Sequence, residues 1–122
     1  MAQTVTPYLL YEDPGAALQW LARAFGFREV DRTTGSAGGM HAEMAVGDDG
    51  RVFLGGPPGP DTPGRRSMVY VYVDDVDATY ARALELGAST VEEPGDQPYG
   101  ERRCGVADPE GHHWYLAAPI AR

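Results

Sequence analysis

The chain has 122 residues and a formal net charge of −8 at pH 7, from 18 acidic and ten basic residues. Every basic residue is an arginine, which excludes Schiff-base chemistry on a lysine, including lysine-anchored pyridoxal phosphate. An acidic surface repels phosphate groups, which argues against nucleic acids and anionic membranes as partners. The single cysteine, Cys104, excludes an internal disulfide and any zinc site built from several cysteines.

The length fits one domain, or two small modules that share a core. With 43% hydrophobic and 23% charged residues, the composition is that of an ordinary globular protein. No apolar run approaches the roughly 18–20 residues that cross a bilayer. The N-terminal stretch MAQTVTPYLLYED lacks the basic and apolar regions of a secretion signal. We therefore expect a cytoplasmic protein that has no membrane partner.

The first half of the chain predicts a strand, a helix and three further strands. The first strand is expected over Thr4–Glu12. The helix is expected over Pro14–Phe25, because Asp13 is a good N-cap and Gly26 a good left-handed C-cap. A Gly/Ser loop at 34–39 and a Gly-Asp-Asp-Gly turn separate the later strands. These are predicted at Phe27–Thr33, Met40–Val46 and Arg51–Leu54.

The stretch GGPPGPDTPGRR predicts an internal boundary, because it holds four prolines and four glycines. We place a linker at residues 57–66, between a first module at 1–56 and a second at 67–122. The second module repeats the order of the first. It predicts a strand at Met68–Val73, a helix opened by Asp75 and ended by Gly87, a strand at Thr90–Glu93, and a closing hairpin with arms Arg102–Ala107 and His112–Ala117.

The two halves are an internal repeat. Asp13 and Asp75 are 62 positions apart, as are Thr6 and Met68. Each half reads strand, helix and three strands, so we expect an α+β fold of two βαβββ modules. The turn Asp108-Pro109-Glu110-Gly111 closes the second.

These features resemble the vicinal oxygen chelate superfamily, which includes glyoxalase I, bleomycin-resistance proteins, fosfomycin-resistance enzymes and extradiol dioxygenases. The resemblance covers nearly the whole chain and rests on the paired modules, the Asp-helix-Phe-Gly-Phe signature of Tyr8–Phe27, and YGERRCGVADPEGHHWYLA. The last segment looks like the small bacterial glyoxalase/bleomycin-resistance subgroup. The resemblance implies curved mixed sheets that enclose a cavity, and a homodimer in which the first module of one chain faces the second of its partner.

In metal-dependent members, the ligands come from the first and last strands of each module. The matching positions here are Thr6, Met68, Tyr115 and the region of Leu54 and Gly55, where the family has His, Gln or Glu. None of these is a competent ligand for a divalent metal. The resemblance therefore implies the fold of the family without its chelate.

If Thr6, Met68 and Tyr115 mark the inward face, the period of two in a strand assigns their neighbours. The predicted lining is aromatic and sulfur-containing with a few polar groups, as in pockets for organic ligands. The candidate ligand-binding residues are Tyr8, His41, Glu43, Phe53, Met68, Tyr70, Tyr72, Tyr99, Arg102, His113 and Tyr115.

Other interpretations of these residues stay open. The tyrosines can simply fill a barrel interior, and His41, Glu43 and His113 can hold a displaced metal. Glu43 can act beside His41 in acid–base chemistry, or pair with an arginine such as Arg102 or Arg103. His112 and His113 are consecutive, so both cannot reach one site from a regular strand. Cys104 is interpreted as a packing residue.

The leading hypothesis is a protein of the bleomycin-resistance type that binds a small molecule without metal or cofactor and without catalysis. It would sequester an aromatic or cationic compound such as an antibiotic. The alternative is a metal-dependent lyase, isomerase or dioxygenase of the glyoxalase class with a displaced metal site. A third is a filled barrel that serves only as a dimerising or regulatory module.

Overall fold

Two helix-and-strand units follow one another in the computed structural model, which describes residues 5–34, 39–59 and 67–120. One lies within residues 1–65 and the other within residues 66–122. The elements of the first unit are β1 (Tyr8–Leu10), α1 (Pro14–Phe25), β2 (Arg28–Thr34), β3 (Met40–Val46) and β4 (Gly50–Gly56). In its sheet, β4 lies between β1, with which it is parallel, and β3, and β2 forms the far edge.

Helix α1 begins and ends where its capping residues predict. The Asp13 carboxylate accepts the backbone N–H of Ala16 at 3.0 Å, and Gly26 takes the left-handed conformation with φ of 77°. Leu18 and Leu21 on the apolar side of the helix are fully buried. The helix packs on β3 and β4, whose buried side chains complete the core of this unit.

The second unit repeats this plan. Its strands run in the order β5-β8-β7-β6, and β5 is parallel to β8. Its elements are β5 (Met68–Tyr72), α2 (Val76–Glu85), β6 (Ser89–Asp96), β7 (Glu101–Ala107) and β8 (His113–Pro119). The predicted α+β fold of two βαβββ modules is confirmed, and each sheet is open, with four strands and two edges.

Several strand lengths differ from the sequence prediction. β1 has only three residues because Pro7 has no N–H for a ladder and pairing with β4 starts at Tyr8. β6 runs on to Asp96, beyond the predicted end at Glu93, because register shifts let it keep pairing with β7. The predicted Gly/Ser loop at 34–39 and linker at 57–66 lie partly outside the described residues.

In the second unit, α2 covers one face of the sheet. Trp114, Leu116 and Val106 on that face are fully buried. Cys104 lies among them with no exposed surface, and burial raises the pKa of its thiol to about 11. This confirms Cys104 as a packing residue. Within the described part of the chain, no helix combines the length and apolar character that crossing a membrane requires.

The turn of the closing hairpin is held together by a buried carboxylate. Asp108 accepts the backbone N–H groups of Glu110 and His112, both at 3.1 Å, and the indole N–H of Trp114 at 3.0 Å. Gly111 has a φ of 93° and donates its N–H to the Asp108 carbonyl at 2.8 Å. One side chain therefore fixes both the turn and the largest aromatic ring of this core.

Candidate functional site

The face of the second sheet that α2 leaves uncovered is rich in tyrosine. Strand pairing places Tyr70 of β5 beside Tyr115 of β8. It also places Tyr72 of β5 beside Ala117 of β8, and Ala117 pairs on its other side with Arg103 of β7. Because side chains alternate along a strand, these residues share one face. We call it the tyrosine face and define it by eight residues: Met68, Tyr70, Tyr72, Tyr99, Glu101, Arg103, His113 and Tyr115.

Four large side chains of the tyrosine face are exposed. The exposed fraction is 68% for Met68, 61% for Tyr72, 54% for Tyr99 and 40% for Tyr70. Tyrosine rings stack on planar compounds, and the thioether of methionine adapts to irregular ones. A sheet face of this kind is suited to contact with an organic molecule.

Glu101 connects the two tyrosines of β5. Its Oε1 accepts the hydroxyl of Tyr70 at 2.7 Å, and its Oε2 accepts that of Tyr72 at 2.6 Å. These hydrogen bonds hold the pKa of the Glu101 carboxyl below its ordinary value and, through Glu101, raise the pKa of Tyr72. Burial is the main cause that raises the pKa of Tyr70, with hydrogen bonds to Tyr99 and Glu101 next. At neutral pH the group is therefore a carboxylate held by two protonated phenols.

Tyr115 lies flat in the middle of the tyrosine face. Its ring is parallel to that of Tyr70, with 4° between the planes and 6.4 Å between the centroids. Gly105 is its neighbour on β7, and a Cβ at that position would stand only 3.1 Å from the Tyr115 ring. Because Gly105 has no side chain, the Tyr115 ring can pack directly against the β7 backbone at this position.

Arg103 supplies the cation of the tyrosine face. Its guanidinium binds the Glu92 carboxylate through two hydrogen bonds of 2.7 and 2.8 Å, and donates a third to the Tyr99 hydroxyl at 2.9 Å. It also lies 5.4 Å from the centre of the Tyr115 ring. The bond to Glu92 is the main cause that raises the pKa of Arg103, so this group stays charged and fixed.

A cavity of about 540 Å³ opens where β5 and β8 begin. It is lined by Ser67, Met68, Gly111 and His113, so two of its residues also belong to the tyrosine face. Its volume is in the range of small-molecule sites. His112, by contrast, is buried and forms a hydrogen bond of 2.6 Å with the Ser67 hydroxyl. The two consecutive histidines therefore have different surroundings, as predicted.

The first unit has an aromatic cluster on the corresponding face of its own sheet. Tyr8, His41 and Phe53 lie with ring centroids 5.0–5.9 Å apart, and the Tyr8 hydroxyl forms a hydrogen bond of 2.8 Å with His41 Nδ1. The Tyr8 ring covers Gly55, where a Cβ would come within 2.6 Å of the Tyr8 hydroxyl oxygen.

Glu43 lies on the same face of the first sheet, since it pairs with Phe53 across β3 and β4. Its carboxylate accepts a hydrogen bond from Arg51 at 3.1 Å. The interpretation that Glu43 pairs with an arginine is confirmed, but the arginine is Arg51 and not Arg102 or Arg103. The hairpin of β3 and β4 brings Arg51 close, whereas those two arginines bind carboxylates of the second unit.

Arg102 is placed away from the other candidate residues. It points to the side of the sheet that α2 covers, where it binds Asp77 at 2.7 and 2.9 Å and Asp96 at 3.0 Å. The next residue, Arg103, lies on the tyrosine face instead. The buried Cys104 gives the signal that distinguishes them, because residues 102 and 104 must share a face.

The structure thus distributes the predicted site residues over two separate sheets. On the second, it adds two residues that the sequence reasoning missed, Glu101 and Arg103. Arg103 precedes Gly105 by two positions and Glu101 precedes it by four, and Gly105 is the β7 partner of Tyr115. The period of two in a strand therefore places both on the same face as Tyr115 and could have identified them. Of the predicted residues, Met68, Tyr70, Tyr72, Tyr99, His113 and Tyr115 belong to the tyrosine face, and Arg102 lies on the other side of the same sheet. Tyr8, His41, Glu43 and Phe53 lie in the first unit.

The described residues do not fit a chelated metal. Nowhere in residues 5–34, 39–59 and 67–120 do three or more His, Cys, Asp or Glu side chains come together in a group that suits a metal ion. Of the alternative ligands, His41 is hydrogen-bonded to Tyr8, and Glu43 is paired with Arg51. At the position of a family ligand, Gly55 offers no side chain and is covered by the Tyr8 ring.

Comparison with known proteins agrees with this architecture. An uncharacterized protein of Mycobacterium bovis, Mb0911c, is 34% identical over 126 aligned positions, which cover 95% of this chain and 83% of that protein. The crystal structure of TioX from Micromonospora sp. ML1 has a TM-score of 0.77 and 34% identity, and the match covers 98% of this chain and all of TioX.

A structure from Sphaerobacter thermophilus, described as a member of the glyoxalase/bleomycin resistance protein/dioxygenase superfamily, shares the fold. It has a TM-score of 0.79 at 21% identity and covers 96% of this chain and 97% of its own. The sequence profile of the same superfamily matches residues 3–116. The chain therefore belongs to the glyoxalase/bleomycin resistance protein/dioxygenase superfamily.

Proposed function

We propose that the protein binds an aromatic small molecule, such as an antibiotic, on the tyrosine face, and that it does so without a metal and without catalysis. The observation that carries the proposal is the exposed group of Met68, Tyr70 and Tyr72, in line along β5. Large apolar side chains that share one exposed surface are typical of binding sites.

The rings are already held in place, which supports binding. Tyr70 and Tyr72 are tied to Glu101, and Tyr115 is stacked on Tyr70. Because these protein side chains are already ordered, little of their conformational entropy is lost when a ligand stacks on them, and more of the contact energy appears as affinity. The cavity beside Met68 and His113 gives space for the part of the molecule that extends past the rings.

The experiment is a panel of planar aromatic compounds, measured by the shift in melting temperature and by quenching of tryptophan fluorescence. The test variant is Tyr70→Leu/Tyr72→Leu, which keeps the apolar bulk and removes the rings. The control is Tyr80→Leu, because Tyr80 lies on α2 with its hydroxyl bonded to Thr90. We expect the test variant to lose at least about tenfold in affinity, or about 1.4 kcal/mol, and the control to bind normally.

Metal dependence is tested on the same samples. We expect tag-free protein to bind its ligands equally before and after treatment with a chelator. A stoichiometric divalent metal whose removal abolishes binding would contradict the proposal. So would a panel in which no compound binds, or a test variant that binds as well as the wild type.

A further inference from the structure

We propose that the preferred ligand of the tyrosine face is an aromatic cation, whose ammonium or ring nitrogen charge is recognised by Glu101. This inference rests on the proposed function and adds the charge of the ligand to it. Three observations support it: the hydrogen-bond partners of Glu101, the spare acceptor capacity of its carboxylate, and the rings that surround it.

The first observation is that, among the described contacts, no arginine forms an ion pair with the Glu101 carboxylate. On the same sheet, Glu92 is bound by two nitrogens of Arg103, and Asp96 is bound by Arg102. Among the described contacts, the Glu101 carboxylate accepts hydrogen bonds only from neutral phenols, those of Tyr70 and Tyr72. The tyrosine face therefore presents a carboxylate that the charge of Arg103 reaches only at a distance, because the Arg103 guanidinium itself binds Glu92.

The second observation is that the Glu101 carboxylate has acceptor sites to spare. An ionised carboxylate has about four lone-pair positions, and the two phenols occupy one on each oxygen. A cationic N–H donor can therefore add a charge-assisted hydrogen bond without displacing either phenol. The phenols also hold the carboxylate in one orientation before the ligand arrives.

The third observation is the arrangement of rings beside this carboxylate. Tyr70 and Tyr72 lie with centroids 5.6 Å apart and planes inclined at 65°, and Tyr115 is parallel to Tyr70. The faces of such rings attract a cation through their quadrupole, and the aromatic part of the same ligand can stack on them. Inclined rings next to a carboxylate therefore suit a planar molecule that carries positive charge.

An anionic ligand would be disfavoured at this place. Glu92, the partner of Arg103, neutralises the one guanidinium of the tyrosine face, so the Glu101 carboxylate leaves a net negative charge there, and the chain as a whole carries a net charge of −8. A neutral compound of the same shape would keep the stacking and lose the charge-assisted contact. We expect the order of affinity to be cation, then neutral compound, then anion.

Three acridines test this order by isothermal titration at pH 7.4: the cation 9-aminoacridine, neutral acridine, and the anion acridine-9-carboxylate. We expect the cation to bind at least about tenfold more tightly than neutral acridine, since a hydrogen bond to a charged group contributes about 1.5–3 kcal/mol. We also expect the preference to weaken at high ionic strength.

Glu101→Gln should reduce the preference for 9-aminoacridine over neutral acridine by about tenfold, whatever it does to stacking on the rings. The matched control is Glu93→Gln, the same substitution at an exposed position of β6. It should preserve the preference for the cation. The wild-type comparison of the three compounds tests the inference even if the Glu101 variant fails to fold.

The outcomes separate the inference from the proposed function. Equal binding of cation and neutral compound overturns charge selection and leaves aromatic binding standing. A loss of cation affinity in Glu93→Gln as large as that in Glu101→Gln assigns the preference to overall charge and overturns the role of Glu101. Absence of binding by all three compounds overturns the inference, and the wider panel then decides on the proposed function.

Discussion

The buried carboxylate of Asp108 offers a direct test of how the closing hairpin is stabilised. Its Oδ2 accepts the indole N–H of Trp114, while Oδ1 accepts two backbone N–H groups of the turn. Asp108→Asn keeps the shape and one acceptor oxygen, but an amide NH₂ cannot accept a hydrogen bond. In either orientation of the amide, the variant removes at least one of these three hydrogen bonds.

The expected cost follows from burial, because Trp114 has no exposed surface and Asp108 only 5%. A buried donor that loses its partner costs about 1–3 kcal/mol, and loss of the charge on the acceptor weakens the remaining bonds. We expect Asp108→Asn to lower the free energy of unfolding by about 2–3 kcal/mol. For a chain of this size, that corresponds to a fall in melting temperature of roughly 6–15 °C.

Urea unfolding at pH 7, followed by circular dichroism, measures this effect. The matched control is Asp48→Asn in the exposed turn between β3 and β4, which should change stability by less than about 0.5 kcal/mol. A double-mutant cycle with Trp114→Phe then isolates the contact between the two side chains. A loss below about 0.5 kcal/mol in Asp108→Asn, or full additivity with Trp114→Phe, would refute the reasoning.

Three further outcomes are expected. The Cys104 thiol, with its pKa raised to about 11 by burial, should react with an aromatic disulfide reagent at pH 8 far more slowly in the native protein than in urea. Gly105→Ala should cost about 1 kcal/mol in urea unfolding and tilt the Tyr115 ring, because the new methyl group meets that ring; unchanged stability would contradict this. Because the pKa values of Tyr70 and Tyr72 are raised, the increase in phenolate absorbance at 295 nm should occur at higher pH in the folded protein than in the unfolded chain. Since the folded pKa values of the two phenols exceed the unfolded value of about 10, their hydrogen bonds stabilise the fold fully below pH 10, and this stabilisation is lost as the pH rises above 10. If the folded and unfolded chains titrate at the same pH, the expectation is wrong.

The sequence alone determined the features that depend on near neighbours in the chain. The caps Asp13 and Gly26 fixed both ends of α1, because each acts through hydrogen bonds to residues within four positions. The repeat of 62 positions fixed the two βαβββ modules. Period two correctly placed Tyr70 and Tyr115 on one face, since alternation in a strand is a local property.

Only the tertiary structure decided which charges meet across the sheets. Glu43 binds Arg51, and Arg103 binds Glu92, because the pairing of neighbouring strands brings these side chains together. The contact of Tyr72 with Glu101 joins residues 29 positions apart, so no local pattern signals it. The sequence by itself therefore determined the fold and the aromatic face, whereas pairing between distant strands decided that Arg103 binds Glu92 and that two phenols bind Glu101.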